Sequence, residues 1–239
     1  APLLLEPTQL VTHLLFSRIR PSLNSLPHLP PVTLSSRTAV LCVAVFLASL
    51  GNIAFWHAFS HAAGELTLAR LTLMWAFGMV LLAVINLLLS LLSFRYIFKG
   101  VAMFMLITSA VAGYFMQTYG TLIDVTMVQN MMETDTVEAF NLLSWRMLWH
   151  VLLLGVLPAW LVYRTPIVTQ RWQRELWTTG VTIVICLSVI IVMAAAFYKS
   201  FVSFGRNNNQ LHYLISPINY TYALGRYTYK QLVPLPKMV

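Results

Sequence analysis

Five runs of this chain are each apolar over about 20 residues, the length a helix needs to cross a hydrocarbon core about 30 Å thick. They extend from Thr38 to about Phe59, from about Leu66 to Leu92, from Tyr96 to about Tyr119, from Trp145 to Tyr163, and from Leu176 to about Phe201. Inside a bilayer each backbone N–H and C=O must find a partner within the protein, and a run of this length does so as a helix. The fold class is therefore an all-α integral membrane domain with five transmembrane helices. Composition agrees, because 59% hydrophobic and 9% charged residues exclude an ordinary soluble domain. The seven Trp and ten Tyr suit rings that settle at the two membrane interfaces.

A net charge of +8 would point a soluble chain toward nucleic acid. Here the basic residues flank apolar spans, so membrane phospholipid is the expected partner and nucleic acid is not. Arg18, Arg20 and Arg37 precede the first span, Arg95 and Lys99 lie between the second and third, and Arg164, Arg171 and Arg174 separate the fourth from the fifth. Counting Lys and Arg in the short flanks puts these three segments, and the N-terminus, on the cytoplasmic side. The C-terminus then falls on the periplasmic side. Cys42 and Cys186 both sit in apolar runs and suggest no disulfide.

The domain reading divides the chain into three. Residues 1–37 form a Pro-rich, basic cytoplasmic arm, and residues 38–201 form the five-helix domain, with a periplasmic helical insert at 119–144. Residues 202–239 form an interfacial bridging segment in which Tyr213, Tyr220, Tyr222, Tyr227 and Tyr229 alternate with polar residues. Lys199, Arg206, Arg226, Lys230 and Lys237 run against the charge rule there, which a region tied to an exported domain tolerates. The Pro-flanked stretch LVPLPK near the end reads as a linker to a further domain.

The insert is the chemical focus. It holds Asp124, Glu133, Asp135 and Glu138, four of the chain's seven carboxylates. A cationic or zwitterionic ligand at a membrane face needs fixed carboxylates to offset its lost hydration, so this cluster marks the candidate site. Gly120 is suited to cap the third span and Asp124 to begin a new helix as its N-cap. If one helix ran on from there, Asn130, Thr134 and Glu138 would recur every four residues on one face. Glu138 would answer an ammonium, Asn130 and Thr134 would bond phosphate or ester oxygens, and Met127 and Met131 would meet acyl chains. Asp135 and Glu138 also resemble a capping box, in which case Glu138 caps a helix turn; the two readings can both hold.

Other residues have plainer explanations available. His57 and His61 share a spacing that suits a metal but have no third ligand nearby in sequence. Arg70 and Arg146 lie near span ends, where they snorkel to water or hold a lipid phosphate. Tyr114 and Tyr119 fit an interfacial aromatic belt unless a cavity faces them, and His150 fits a packed, hydrogen-bonded role.

The stretches TYGTLIDVTMVQNMMETDTVEAFNLLS, SLGNIAFW, LLSFRYIFKG and AAAFYKSFVSFGRNNNQLHYLISPINYTYA resemble, in order and spacing from about Ser49 to Tyr229, the membrane domain of the lipid A phosphoethanolamine transferases. That family includes the mobile colistin-resistance enzymes. The resemblance implies a Gram-negative inner-membrane enzyme that moves phosphoethanolamine from phosphatidylethanolamine to lipid A phosphates, weakening polymyxin binding. It matches the family's substrate-binding Asn, Thr and Glu to Asn130, Thr134 and Glu138; Tyr114, Tyr119 and Arg146 complete the candidate substrate contacts, and a monomer is expected. The family's nucleophilic Thr follows Gly-Glu after an apolar strand, and its zinc is held by Asp, Glu and His. No Gly-Glu-Thr occurs in these 239 residues. The expectation is therefore no cofactor and no catalytic residue in this chain, with zinc in a periplasmic catalytic domain and no turnover by the chain alone.

Two other classes compete with this reading. A small transporter or channel subunit would place ionisable groups in span centres, which here are almost free of charge. A passive membrane anchor or assembly module would need no clustered carboxylates.

Overall fold

In a computed structural model of the protein, the described residues are 34–232 apart from 66, 93–96, 134–142 and 169–170. Among the described residues, five helical stretches are long and apolar enough to cross a membrane: Ser36–Ala62, Leu68–Leu92, Phe98–Tyr119, Trp145–Arg164 and Trp172–Ala196. Their share of burial within the protein falls from 56% and 50% for the first and third to 11% and 6% for the fourth and fifth. The first and third spans therefore form the centre, and the last two present most of their surface outward. The second span, α3 (Leu68–Leu92), packs between the first and the fifth, and the third, α4 (Phe98–Tyr119), runs along the whole of the fourth.

The first span is not the single helix its apolar run suggests. Helix α1 (Ser36–Ser49) gives way to one 3-10 turn, Leu50–Asn52, before α2 (Ile53–Ala62) resumes. The sequence Gly51-Asn52 explains the break, since neither residue favours a helix interior. A break inside a membrane span frees carbonyls that must be paired again. Asn52 Nδ2 donates to the Leu47 carbonyl at 2.7 Å, and Trp56 Nε1 donates to the Ala48 carbonyl at 2.7 Å. Asn52 is fully buried and also reaches far along the chain: Nδ2 donates to the Ser216 carbonyl at 2.7 Å, while Oδ1 accepts the Ser216 N–H at 2.8 Å.

The fourth span is interrupted as well. Helix α6 (Trp145–Val151) passes through a wide π turn, Leu152–Val156, into α7 (Leu157–Arg164). Pro158 supplies the cause, because it has no N–H for the usual backbone bond and its ring crowds the preceding turn. Within the π turn Gly155 meets α4 closely. A Cβ there would lie 3.0 Å from the Ala110 Cβ and 3.3 Å from the Ile107 Cα, so the two helices touch through small residues.

A lysine and a short strand pair secure one end of the bundle. Lys99 Nζ donates to the Tyr163 carbonyl at 2.9 Å, a cation on the C-terminus of the fourth span. A two-residue parallel pair, β1 (Leu34–Ser35) with β2 (Ile167–Val168), joins the start of the first span to the segment after the fourth. Three of the basic segments expected to share one side thus meet at one end. At the other end Arg70 donates to the carbonyls of Ser60, at 2.7 Å, and of Gly64. Its guanidinium closes the C-terminus of α2.

The fifth span, α8 (Trp172–Ala196), begins earlier and ends earlier than its apolar run, and the predicted stretch to Phe201 is not continuous. The chain turns at Phe197 into α9 (Tyr198–Asn207). Phe204 lies 4.5 Å from Phe59 and Phe201 4.5 Å from Phe77, ring to ring, so α9 is held by aromatic packing on the first and second spans. After a 3-10 segment, Asn209–Leu214, and the turn at Ser216-Pro217, the final helix α10 (Ile218–Leu232) runs back along the insert. Along this part of the chain Ser216, Pro217, Asn219 and Ala223 are buried in the bundle.

Replacing Asn52 by Ala leaves the Leu47 carbonyl and both Ser216 backbone groups without their partner. At about 1–3 kcal/mol per buried group left unpaired, Asn52→Ala should lower the melting temperature of the purified protein by many degrees, whereas the exposed Thr228→Ala should leave it nearly unchanged.

Candidate functional site at the insert end of the bundle

Gly120 ends α4 in the left-handed region, with φ of 64°, which a residue with a Cβ rarely adopts. Asp124 then starts the insert helix α5 (Val125–Glu133): its Oδ1 accepts the Met127 N–H at 2.8 Å, and its carbonyl accepts the Val128 N–H at 3.1 Å. Val128 is buried beneath this helix, while Asn130 is exposed on its other side. Thr134 and Glu138, like the alternative capping pair Asp135 and Glu138, lie outside the described residues.

Tyr114 takes a different place from an interfacial belt. It is 4% exposed, its hydroxyl pairs with the Ser144 hydroxyl at 2.7 Å, and its ring lies 5.7 Å from that of His150. Ser144 in turn accepts the Met147 N–H at 3.1 Å as the N-cap of α6. Tyr114 is thus a joint between the third and fourth spans. Tyr119 is half exposed and stacks on Phe115 at 5.7 Å, and Arg146 is exposed one residue into α6. His57 and His61 are in ring contact at 4.6 Å, and among the described residues no three His, Cys, Asp or Glu side chains gather as a metal site.

A cleft of about 610 Å³ lies between the start of the insert and α10. Ile123, Val125, Ile215 and Ile218 give it apolar walls, while Asp124, His212, Tyr222, Arg226 and Lys230 bring polar groups to it. Tyr222, Arg226 and Lys230 recur every fourth residue and so share one face of α10. Arg226 donates to the Tyr222 hydroxyl at 2.9 Å, which fixes the guanidinium. The sequence carried a signal for this face in the spacing Tyr-x3-Arg-x3-Lys, but the cations read there only as exceptions to the charge rule.

Tyr220 fixes where α10 starts. Its hydroxyl receives a hydrogen bond from Thr108 at 3.0 Å, pairs with Ser109 at 3.2 Å and donates to the Met105 carbonyl at 3.4 Å. Asn219 beside it is buried; Nδ2 donates to the Tyr213 carbonyl at 2.8 Å and Oδ1 accepts the Tyr220 N–H at 2.8 Å.

A family profile described as phosphoethanolamine transferase EptA/EptB matches residues 81–232, which span both the insert and α10. The chain belongs to the EptA/EptB phosphoethanolamine transferase family. It is 35% identical over 190 residues to phosphatidylethanolamine transferase Mcr-1 of Escherichia coli, covering 78% of this chain and 34% of that protein. It is 31% identical over 222 residues to phosphoethanolamine transferase EptA of E. coli O157:H7, covering 91% and 38%. Among solved structures, the lipooligosaccharide phosphoethanolamine transferase EptA of Neisseria meningitidis superimposes with a TM-score of 0.80 at 20% identity, over 85% of this chain and 38% of that one, and shares its fold. The chain spans about a third of the length of the curated EptA and Mcr relatives it matches.

Within this member of the family, docking of α10 should depend on pH through Tyr220. Burial pushes its phenol above the ordinary range near 10, while the Ser109 and Thr108 hydrogen bonds draw it back less strongly. The folded state therefore favours the protonated phenol, and its contribution is intact below the unfolded pKa and lost as pH climbs through the raised one. Melting temperatures measured from about pH 8 to 11.5 should fall more steeply for wild type than for Tyr220→Phe, which starts lower because it leaves the Ser109 and Thr108 hydroxyls without their shared partner.

Proposed function

We propose that this chain is the membrane and lipid-binding portion of an inner-membrane enzyme that moves phosphoethanolamine from phosphatidylethanolamine to lipid A phosphates. The observation that carries this reading is the family match across residues 81–232, since it includes the polar insert and the helix packed on it. The relatives' names supply both chemical partners: the E. coli Mcr-1 is called a phosphatidylethanolamine transferase, and the Neisseria protein a lipooligosaccharide phosphoethanolamine transferase. Adding phosphoethanolamine to a lipid A phosphate introduces an ammonium beside it, so the outer surface loses negative charge and polymyxins bind less well.

In this reading the N-terminus is cytoplasmic and the C-terminus periplasmic. The gathering of basic flanks at one end of the bundle supports that orientation, because a shared cytoplasmic side is what the excess of Lys and Arg calls for. Asn130, Thr134 and Glu138 grip the donor headgroup from the insert, with Tyr119 and Arg146 at the same end, and Tyr114 acts through Ser144 by setting the angle between the third and fourth spans. The nucleophilic Thr and the zinc that activates it belong to a periplasmic catalytic domain. Transfer needs an activated nucleophile and a cation against developing charge, so these 239 residues bind and position lipid without turning over.

The test uses the full reading frame expressed in a polymyxin-sensitive E. coli strain, with lipid A examined by mass spectrometry. Wild type should add phosphoethanolamine and raise the inhibitory polymyxin concentration. Asn130→Ala and Glu138→Ala should each cut modification about tenfold or more, equivalent to at least about 1.4 kcal/mol of lost transition-state stabilisation. Residues 1–239 expressed alone should add none. Full modification by both variants would instead make the membrane domain a passive anchor.

A further inference from the structure

The cleft between the insert and α10 holds opposite charges on two different elements: Asp124 begins the insert, while Arg226 and Lys230 lie along α10. We infer that this cleft is a second headgroup site, separate from the Asn130 face, that takes a zwitterionic phosphate ester carrying a primary ammonium. Asn130 lies further along the insert helix and does not line the cleft.

The chemistry of each wall selects its half of the ligand. A guanidinium presents paired N–H donors that match two phosphate oxygens, and its Nη1 is already oriented by the Tyr222 hydroxyl at 2.9 Å. Lys230, one turn further along the same face, adds a point charge that a phosphodiester anion satisfies without bidentate geometry. On the insert side Asp124 uses Oδ1 to cap the Met127 N–H, but a carboxylate has room for about four hydrogen bonds. Its remaining oxygen can accept the N–H groups of a primary ammonium. A quaternary ammonium has no such donors, so phosphatidylcholine is disfavoured. A phosphatidylglycerol headgroup meets the two cations and leaves Asp124 unanswered.

The apolar part of the lining suits the rest of such a ligand. Ile123, Val125, Ile215 and Ile218 line the same hollow of about 610 Å³ as the charged groups, and so offer apolar surface to the first carbons of a lipid's chains. Charges at such a partly apolar wall interact more strongly than in bulk water. The ligand is either membrane phosphatidylethanolamine or the free phosphoethanolamine headgroup, and these differ in whether the apolar lining is used. This inference shares with the proposed function the premise that the insert meets phospholipid headgroups, but it concerns binding alone, so a failure of lipid A transfer leaves it standing.

The test is binding by the purified 239-residue chain in dodecyl maltoside micelles, titrated with dihexanoyl phosphatidylethanolamine, phosphatidylglycerol and phosphatidylcholine. Asp124→Asn is the informative variant, because Asn is as good an N-cap as Asp and only the charge is removed. It should weaken phosphatidylethanolamine binding about tenfold and leave phosphatidylglycerol binding equal or tighter. The pair Arg226→Gln and Lys230→Gln should weaken both lipids about tenfold, with Arg226→Lys retaining most of the binding, and circular dichroism should show an unchanged helix content for each variant. Phosphatidylethanolamine affinity that is unchanged in Asp124→Asn, or phosphatidylcholine bound as tightly as phosphatidylethanolamine, overturns the assignment. Competition by soluble phosphoethanolamine as strong as that of the lipid assigns the cleft to the free headgroup, and weak competition assigns it to the membrane lipid.

Discussion

The structure depends on a side chain that closes two broken pieces of backbone at once. Asn52 sits where the first span leaves the α-helix, and Ser216 sits where the tail turns between its 3-10 segment and α10. Each break frees N–H and C=O groups in an apolar setting where water cannot take them up. The primary amide is one of the few side chains with both donors and an acceptor, and Asn52 uses all of them: two N–H bonds to the Leu47 and Ser216 carbonyls and one accepted from the Ser216 N–H. An isosteric Leu would fill the same space and leave all three groups orphaned. The first span and the tail, 164 residues apart, are thereby made parts of one core.

That linkage decides how the polar end of the bundle is held. The insert helix α5 has only nine residues, too short to be stable alone in water, where about 12–15 are marginal. Its left-handed glycine hinge and Asp124 cap set where it begins, but its persistence rests on Val128 and on α10 packed beside it. Helix α10 in turn is positioned by Tyr220 and Asn219, which reach into the third span and the tail turn. The insert end of the bundle is therefore anchored through a relay of buried amides and hydroxyls to the centre of the membrane bundle.

Much of this was legible in the amino-acid sequence where one residue type has one physical use. Apolar length marked the five spans to within a few residues, and Gly120 and Asp124 marked the stop and start of adjacent helices. The interruptions were less visible. Gly51-Asn52 and Pro158 each leave apolar length unchanged, so a hydropathy reading passes over them even though local propensity flags them. Tyr114 was harder still. A tyrosine near a span end fits the interfacial belt by composition, and only packing shows it as a buried partner of Ser144. The partner of Asn52 could not be read from one chain position at all, because nothing local at Ser216 identifies a residue 164 positions earlier.

The same contrast explains why the cations of α10 read as exceptions. Lys and Arg counts assign sides to loops by the cost of moving charge across a bilayer, which concerns the protein's path into the membrane. Once folded, Arg226 and Lys230 stand on one helix face over an apolar-walled cleft with Asp124 at its other element. Two like charges one turn apart are mutually unfavourable by a few tenths of a kcal/mol on an isolated helix. Their repulsion is relieved by a counter-charge, and the cleft provides one carboxylate for two cations. The remaining positive charge favours an anionic group entering the cleft, while the carboxylate favours a cationic group travelling with it. A surface built only to stay in water would have no reason to gather these three charges around an apolar hollow.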